Sequence, residues 1–349
     1  MLRYPHPLVA PLWARGGHAQ TIFAHFLPSP GRPIGASAGD RRLEVALPDG
    51  DRLVGYESAP TGPKSDVRVH LFHGLSGDVN AEYMRRTAAA LRAHGHEVWS
   101  FNHRGAGEGA GLAVGIYHSG RSEDLAAVLA ASRQQRPEQI QLVVGFSLSG
   151  NAALKLAAEH AAGEREHGAP DGLLVINPPA DLEHTSRRIQ LGLSRFYEAR
   201  FVRRLRRAIA LRPGAPSVPS GARLWDVDEL VTAPLGGFRD ARDYYARCST
   251  IERLSTIQLP TVVLTAADDP FVDATRLEAA PRAASVHLHV EPTGGHVGYL
   301  EARSPARLGA RRWLDGAILH YCGQLRAAAH RANAAASRPD PQPRSATSS

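Results

Sequence analysis

Short apolar runs alternate along this chain with stretches of helical spacing, and that rhythm predicts a fold class before any chemistry is considered. Residues 42–47 and 52–58 flank the turn Pro48-Asp49-Gly50 and predict a β-hairpin. The run 67–72 predicts a buried strand, third in order, followed by a helix near 79–94. The rhythm repeats with strand 97–101 and helix 121–135, strand 139–145 and helix 148–162, and strand 172–177. It breaks over 181–257 and resumes with strands at 261–266 and 285–291, then a final helix from about Ser304. Strands alternating with helices predict a mostly parallel central sheet with helices on both faces, an α/β architecture. The 181–257 stretch is too long for an ordinary connection and is read as a helical lid inserted into the sheet domain. One domain then spans 1–331, and the Pro/Ser/Ala-rich stretch 332–349 predicts a disordered tail.

A chain of 349 residues suffices for one such domain with an insertion. A composition of 43% hydrophobic and 21% charged residues is that of an ordinary soluble protein. The N-terminal stretch has no basic region followed by a long apolar run, and no segment approaches the ~20 apolar residues of a membrane span. A cytoplasmic protein is therefore expected. Cys248 and Cys322 form neither a disulfide framework nor a metal-ligand spacing. The net charge of +7 is carried by arginine, Lys64 and Lys155 being the only lysines. That balance admits nucleic acid or an anionic membrane as a partner. No nucleic-acid module motif accompanies it, so nucleic acid is not expected.

The chemistry gathers at strand ends. Gly145-Phe146-Ser147-Leu148-Ser149 lies between a buried strand and a helix. A sharp strand–turn–helix with small residues two before and two after its centre pushes the central side chain out above the strand. Ser147 is the candidate nucleophile; Ser149, standing where a second Gly is usual, is its rival. A hydrolase of this kind needs donors aimed at the developing oxyanion. Leu148 N–H follows the nucleophile, and Leu75 N–H lies in the loop His73-Gly74-Leu75 after the third strand. His73 is read as shaping that loop. The acid belongs after a late strand, where Asp268 and Asp269 are adjacent; Asp269, directly before Pro270-Phe271-Val272, is chosen. His296 follows the last strand behind Gly294-Gly295 and is the candidate base, whereas His287 and His289 alternate within a strand and are read as structural.

These residues, with others in order, give the chain a resemblance. Gly16-Gly17-His18-Ala19-Gln20-Thr21-Ile22, Asn102-His103-Arg104-Gly105, Tyr117-His118-Ser119-Gly120, Thr232-Ala233-Pro234-Leu235-Gly236-Gly237-Phe238, Tyr244-Tyr245, Asp268-Asp269-Pro270-Phe271 and Gly294-Gly295-His296 together resemble the YheT-like branch of the α/β-hydrolase superfamily. The resemblance runs from about Pro11 to Ala328, departing at Ser149, where the family shows Gly. It implies an α/β-hydrolase fold and hydrolysis of carboxylic esters, with acyl transfer to alcohols in some relatives.

The expected function is a carboxylesterase acting on short- to medium-chain acyl esters, with no metal or organic cofactor. An acyltransferase using the same three residues is the alternative, and a catalytically silent scaffold the reading from another class. Over 187–212 nine arginines accompany a single acid, Glu198, while Ile189, Leu193, Phe196, Tyr197, Phe201, Leu205 and Ile209 recur at helical spacing. One amphipathic basic helix is expected there. Its cationic face is either merely solvated or meets an anionic membrane or a phosphate-bearing substrate.

Overall fold

The computed structural model describes residues 3–27, 32–165, 167–212, 214–302 and 310–336. Among these, eight strands form one sheet: β1 (Asp40–Ala46), β2 (Arg52–Ser58), β3 (Val67–Phe72), β4 (Glu97–Phe101), β5 (Ile140–Phe146), β6 (Gly172–Ile176), β7 (Thr261–Ala266) and β8 (Val286–Glu291). Their spatial order is β1-β2-β4-β3-β5-β6-β7-β8. The β1–β2 and β2–β4 pairings are antiparallel, and every pairing from β4 to β8 is parallel. The helices before the long insertion are α1 (Gly17–Phe26), α2 (Glu82–Ala93), α3 (Ser122–Gln135) and α4 (Leu148–Ala161). Between β6 and β7 come α5 (Leu182–Arg188), α6 (Arg195–Ala210), α7 (Leu224–Val227), α8 (Ala233–Leu235) and α9 (Ala241–Cys248). After β7 come α10 (Ala274–Ala279) and, following the small antiparallel pair β9 (Leu300–Ala302) and β10 (Ala310–Arg312), α11 (Trp313–Ala336).

Alternation along the strands divides the core in two, because successive side chains point to opposite faces. Val69, Leu71, Leu142, Val144 and Leu174 pack with Met84 and Leu91 of α2 and with Ile318 and Leu325 of α11. Phe72, Val143, Leu173 and Val175 pack with Leu125 of α3, Leu154 of α4 and Leu277 of α10. With both faces covered, β3, β5, β6 and β7 are buried along their whole length. That double burial is why they read as apolar runs rather than as half-polar strands. Arg68 interrupts one run yet is fully buried, its guanidinium shared between Glu97 and Ser132. A buried charge persists only when paired in this way.

Four expectations are corrected. The helix placed near 79–94 begins at Glu82, because Asn80 N–H turns back to Asp78 Oδ1 at 2.8 Å and Val79 N–H is taken by Asn102 Oδ1 at 2.9 Å. The final helix begins at Trp313, the preceding chain being used for β9 and β10, with residues 303–309 outside the described set. It continues through Ala336, past the point where the tail was expected to begin; 337–349 lie outside the described residues. The single basic helix expected over 187–212 is two helices, α5 and α6, broken at Gly192, whose φ of 51° no continuing helix can accept.

Candidate active site

The C-terminal ends of the parallel strands converge on one edge of the sheet, where ligands of open α/β sheets characteristically bind. Ser147 leaves β5 and precedes α4 with φ 52° and ψ −119°, a backbone region that non-glycine residues seldom enter. Its N–H donates to Ile176 O at 2.8 Å, so the neighbouring strand β6 holds the turn. Strand and helix meet so closely here that a Cβ on Gly145 would lie 2.9 Å from Ser149 O and 3.0 Å from Gly150 Cα. Gly145→Ala is therefore expected to lower the melting temperature, with a cost of about 1–3 kcal/mol from overpacking. Thermal unfolding of the variant checks this, and an unchanged midpoint would contradict the packing described.

Ser149 is fully buried and lines neither cavity that borders Ser147. Its hydroxyl donates to His73 O and lies 2.6 Å from His103 Nε2. His103 stacks on Tyr117 at 3.7 Å between centroids, and its N–H donates to His73 Nε2 at 3.2 Å. Burial holds His73 down at about 4 and His103 well below its ordinary value, so both rings are neutral near neutral pH. The serine that departs from the usual glycine thus ties the elbow to the loop after β3. In that loop His73 Nδ1 lies 2.8 Å from Gly74 O, and Gly74 N–H donates to Tyr83 Oη at 2.9 Å. A Cβ on Gly74 would lie 3.1 Å from Ser147 Cβ, which measures how closely the loop approaches the serine. Leu75 and Leu148 border the same cavity as Ser147. Leu148 is the first residue of α4, where N–H groups have no intrahelical acceptor.

Asp269 is fully buried with both carboxylate oxygens occupied. Oδ1 accepts Phe271 N–H and Val272 N–H, each at 3.0 Å. Oδ2 lies 2.7 Å from His296 Nδ1 and accepts Asn177 Nδ2 at 2.7 Å. On its other side, His296 Nε2 lies 2.9 Å from Ser147 Oγ. Ser147, His296 and Asp269 therefore form one hydrogen-bonded chain. Asp268 instead accepts Gly295 N–H at 2.8 Å and the Thr293 hydroxyl at 2.7 Å, bracing the loop that carries His296. His289 is buried against Tyr321 and Glu291, away from this chain.

Three supporting residues carried no prior assignment. Asn177, at φ 48° just beyond β6, also donates to Gly295 O and accepts the Tyr299 hydroxyl. The available signal was an Asn at a strand end before Pro178-Pro179, since Asn tolerates positive φ better than most residues. Thr21 accepts the backbone N–H of His296 at 2.8 Å and returns its own proton to Gly17 O at 2.7 Å. Gln20 bonds Ala14 O, Leu300 O and Leu300 N–H. The N-terminal motif is thus a brace for the histidine loop. Phe271 packs on the His296 ring at 4.0 Å between centroids.

Two cavities meet at Ser147. The smaller, of about 90 Å³, lies beneath α5–α9, with a mainly apolar lining that includes Ile116, Leu182, Ile189, Phe201, Leu205 and Val227. The larger, of about 500 Å³, lies between α1, α6 and the loop after β3, and includes His296, Arg200 and Arg204.

The sequence model for the family described as serine aminopeptidase, S33, matches residues 63–302. YheT of Escherichia coli (strain K12) is 30% identical over 292 residues, covering 80% of this chain and 82% of the relative. The monoacylglycerol lipase of Saccharomyces cerevisiae (strain ATCC 204508 / S288c) is 25% identical, covering 78% and 61%. Among solved structures, the Pyrococcus furiosus esterase Pf2001 aligns with a TM-score of 0.53 at 17% identity, over 87% of this chain and 97% of that one, a likeness of fold.

Proposed function

The chain belongs to the serine aminopeptidase S33 family, on the YheT-like branch of the α/β hydrolases, and is a carboxylesterase-type enzyme; we propose that it cleaves short- to medium-chain acyl esters with Ser147 as nucleophile, His296 as base and Asp269 as acid. The observation that carries this reading is the unbroken chain Ser147 Oγ, His296 Nε2, His296 Nδ1, Asp269 Oδ2, with contacts of 2.9 and 2.7 Å. His296 takes the Ser147 proton as Oγ attacks the ester carbonyl carbon. The N–H groups of Leu75 and Leu148 stabilise the oxyanion of the tetrahedral intermediate. His296 then protonates the departing alcohol, leaving an acyl group on Ser147, and water repeats the sequence to release the acid. Asp269 fixes the imidazole tautomer and stabilises the imidazolium that forms twice in each cycle.

The smaller, mainly apolar cavity suits the acyl chain and the larger, more polar one suits the alcohol. Space on the alcohol side of Ser147 also favours a second reading, acyl transfer to an alcohol in place of water. A chain-length series of p-nitrophenyl esters, run with and without added alcohols, separates the two. Free acid as the main product supports hydrolysis, and new ester as the main product supports transfer. No turnover of any ester would contradict both.

Residues 1–331 are read as one hydrolase domain, with α5–α9 as its lid. Val202, Phe201, Leu205 and Ile209 of α6 turn inward, while Arg195, Arg203 and Arg207 are exposed. Glu198, the one acid of α6, is buried and engaged by Arg223. Among the described residues no helix is long and apolar enough to cross a membrane, so lipid contact would be made from the surface. Each cation near an anionic surface contributes about 1 kcal/mol, screened beyond roughly 8 Å at physiological ionic strength. The chain is expected to sediment with anionic but not neutral vesicles, less so at high salt. Arg195, Arg203 and Arg207 together changed to Gln should weaken binding and leave turnover of a small soluble ester intact. Equal binding to both vesicle types, or to neither, would leave these arginines as solvated surface.

A further inference from the structure

The smaller cavity beside Ser147 is mainly apolar, yet one carboxyl residue, Asp228, lines it. Asp228 begins a π-helical turn, Asp228–Thr232, that continues from α7. Such turns are rare and recur at functional sites. Asp228, Tyr245 and Ser186 all line the cavity. Tyr245 donates its hydroxyl to Asp228 Oδ2 at 2.6 Å, and its oxygen lies 3.0 Å from Ser186 Oγ. Among the described residues no cation pairs with Asp228, in contrast to Asp124 and Glu97, whose buried carboxylates face Arg104 and Arg68. Asp228 is nonetheless only half-buried, and it lines the cavity. Burial pushes it up to about 6, which leaves it mainly ionised at neutral pH and above.

A carboxylate has about four acceptor positions, and the hydroxyls of Tyr245 and Thr232 fill two. An alkyl chain filling the cavity would remove water from the remainder and return nothing, which is costly for a charged group. A hydroxyl on the chain would restore a hydrogen bond. Resting on the assignment of this cavity to the acyl group, we propose that Asp228, braced by Tyr245 and Ser186, selects acyl groups that carry a hydroxyl at a distance from the ester. An ammonium is the poorer fit. The neighbouring polar groups are the neutral hydroxyls of Thr185, Ser186 and Thr232, and Asp228 is the one carboxyl among the described residues of the lining.

The test uses the full chain and p-nitrophenyl esters in matched pairs, plain and terminally hydroxylated, over a ladder of acyl lengths. At one length the wild type should favour the hydroxyacyl ester by roughly 10- to 100-fold in kcat/KM, the range expected for a hydrogen bond to a charged group. Asp228→Leu should invert the preference and raise kcat/KM for the plain ester. Asp228→Asn, which keeps the shape and one acceptor, should shrink the preference, and it decides the matter if the Leu variant does not fold. A ratio near one at every length, a ratio unchanged in Asp228→Asn, or a preference for a terminal amine over the hydroxyl would overturn the proposal. Failure of the nucleophile assignment looks different: no ester is turned over, or turnover survives Ser147→Ala.

Discussion

Ser147→Ala should lower kcat for ester hydrolysis by a factor on the order of 10⁶, the scale of losing a triad nucleophile, since among the described residues no other hydroxyl stands at His296 Nε2. The fold should survive. Alanine occupies the same volume less one oxygen, and the backbone strain at φ 52° is nearly unchanged. Ser147→Gly should be equally inactive yet more stable by about 1 kcal/mol, because glycine adopts positive φ without penalty. Ser149→Ala provides the contrast. Its hydroxyl is spent on His73 O and His103 Nε2, so its loss should loosen the loop after β3 and lower activity much less. Full activity in Ser147→Ala, or abolition in Ser149→Ala alone, would show that the nucleophile is misassigned. Rates and melting temperatures of the three variants are the measurements.

Asp269→Asn should lower kcat by about 10⁴, the effect known for a triad aspartate replaced by its amide. The physical reason is visible in the donors around it. Phe271 N–H, Val272 N–H, Asn177 Nδ2 and His296 Nδ1 all converge on this carboxylate. An amide presents an NH₂ group to at least one of them. If it faces His296, the imidazole must take the tautomer with Nε2 protonated, which cannot accept the serine proton. If it faces the backbone donors, they lose their acceptor and the turn loosens. Asp268→Asn should cost much less, because Asp268 bonds Thr293 and Gly295 rather than His296 and acts on His296 through the loop. Pre-steady-state kinetics with an activated ester measure both variants. The reverse ranking would mean that the acid is one residue earlier.

The register of Asp269 before Pro-Phe-Val was legible because it encodes a turn: two N–H groups just downstream fold back on the carboxyl. The parallel sheet was legible because buried strands and helices alternate at lengths that leave little choice. What the sequence left unread depends on contacts between distant segments. Asn177 reaches Asp269 across 92 positions, and Thr21 reaches His296 across 275. Neither pairing leaves a local pattern. The break at Gly192 was hidden for a different reason, since the apolar spacing continues across it and a lone glycine does not compel a stop. Likewise Asp228 reads as one more acid near a helix. Only packing of the insertion on the sheet places it beside the cavity next to Ser147.

The central claim, that Ser147 is the nucleophile of a working serine esterase, is tested most directly by reacting the wild-type chain with a fluorophosphonate and mapping the adduct by peptide mass spectrometry. The expected result is a single stoichiometric adduct on Ser147, slowed by a competing ester and absent from His296→Ala. An unlabelled chain, or an adduct on Ser149 or elsewhere, would contradict it.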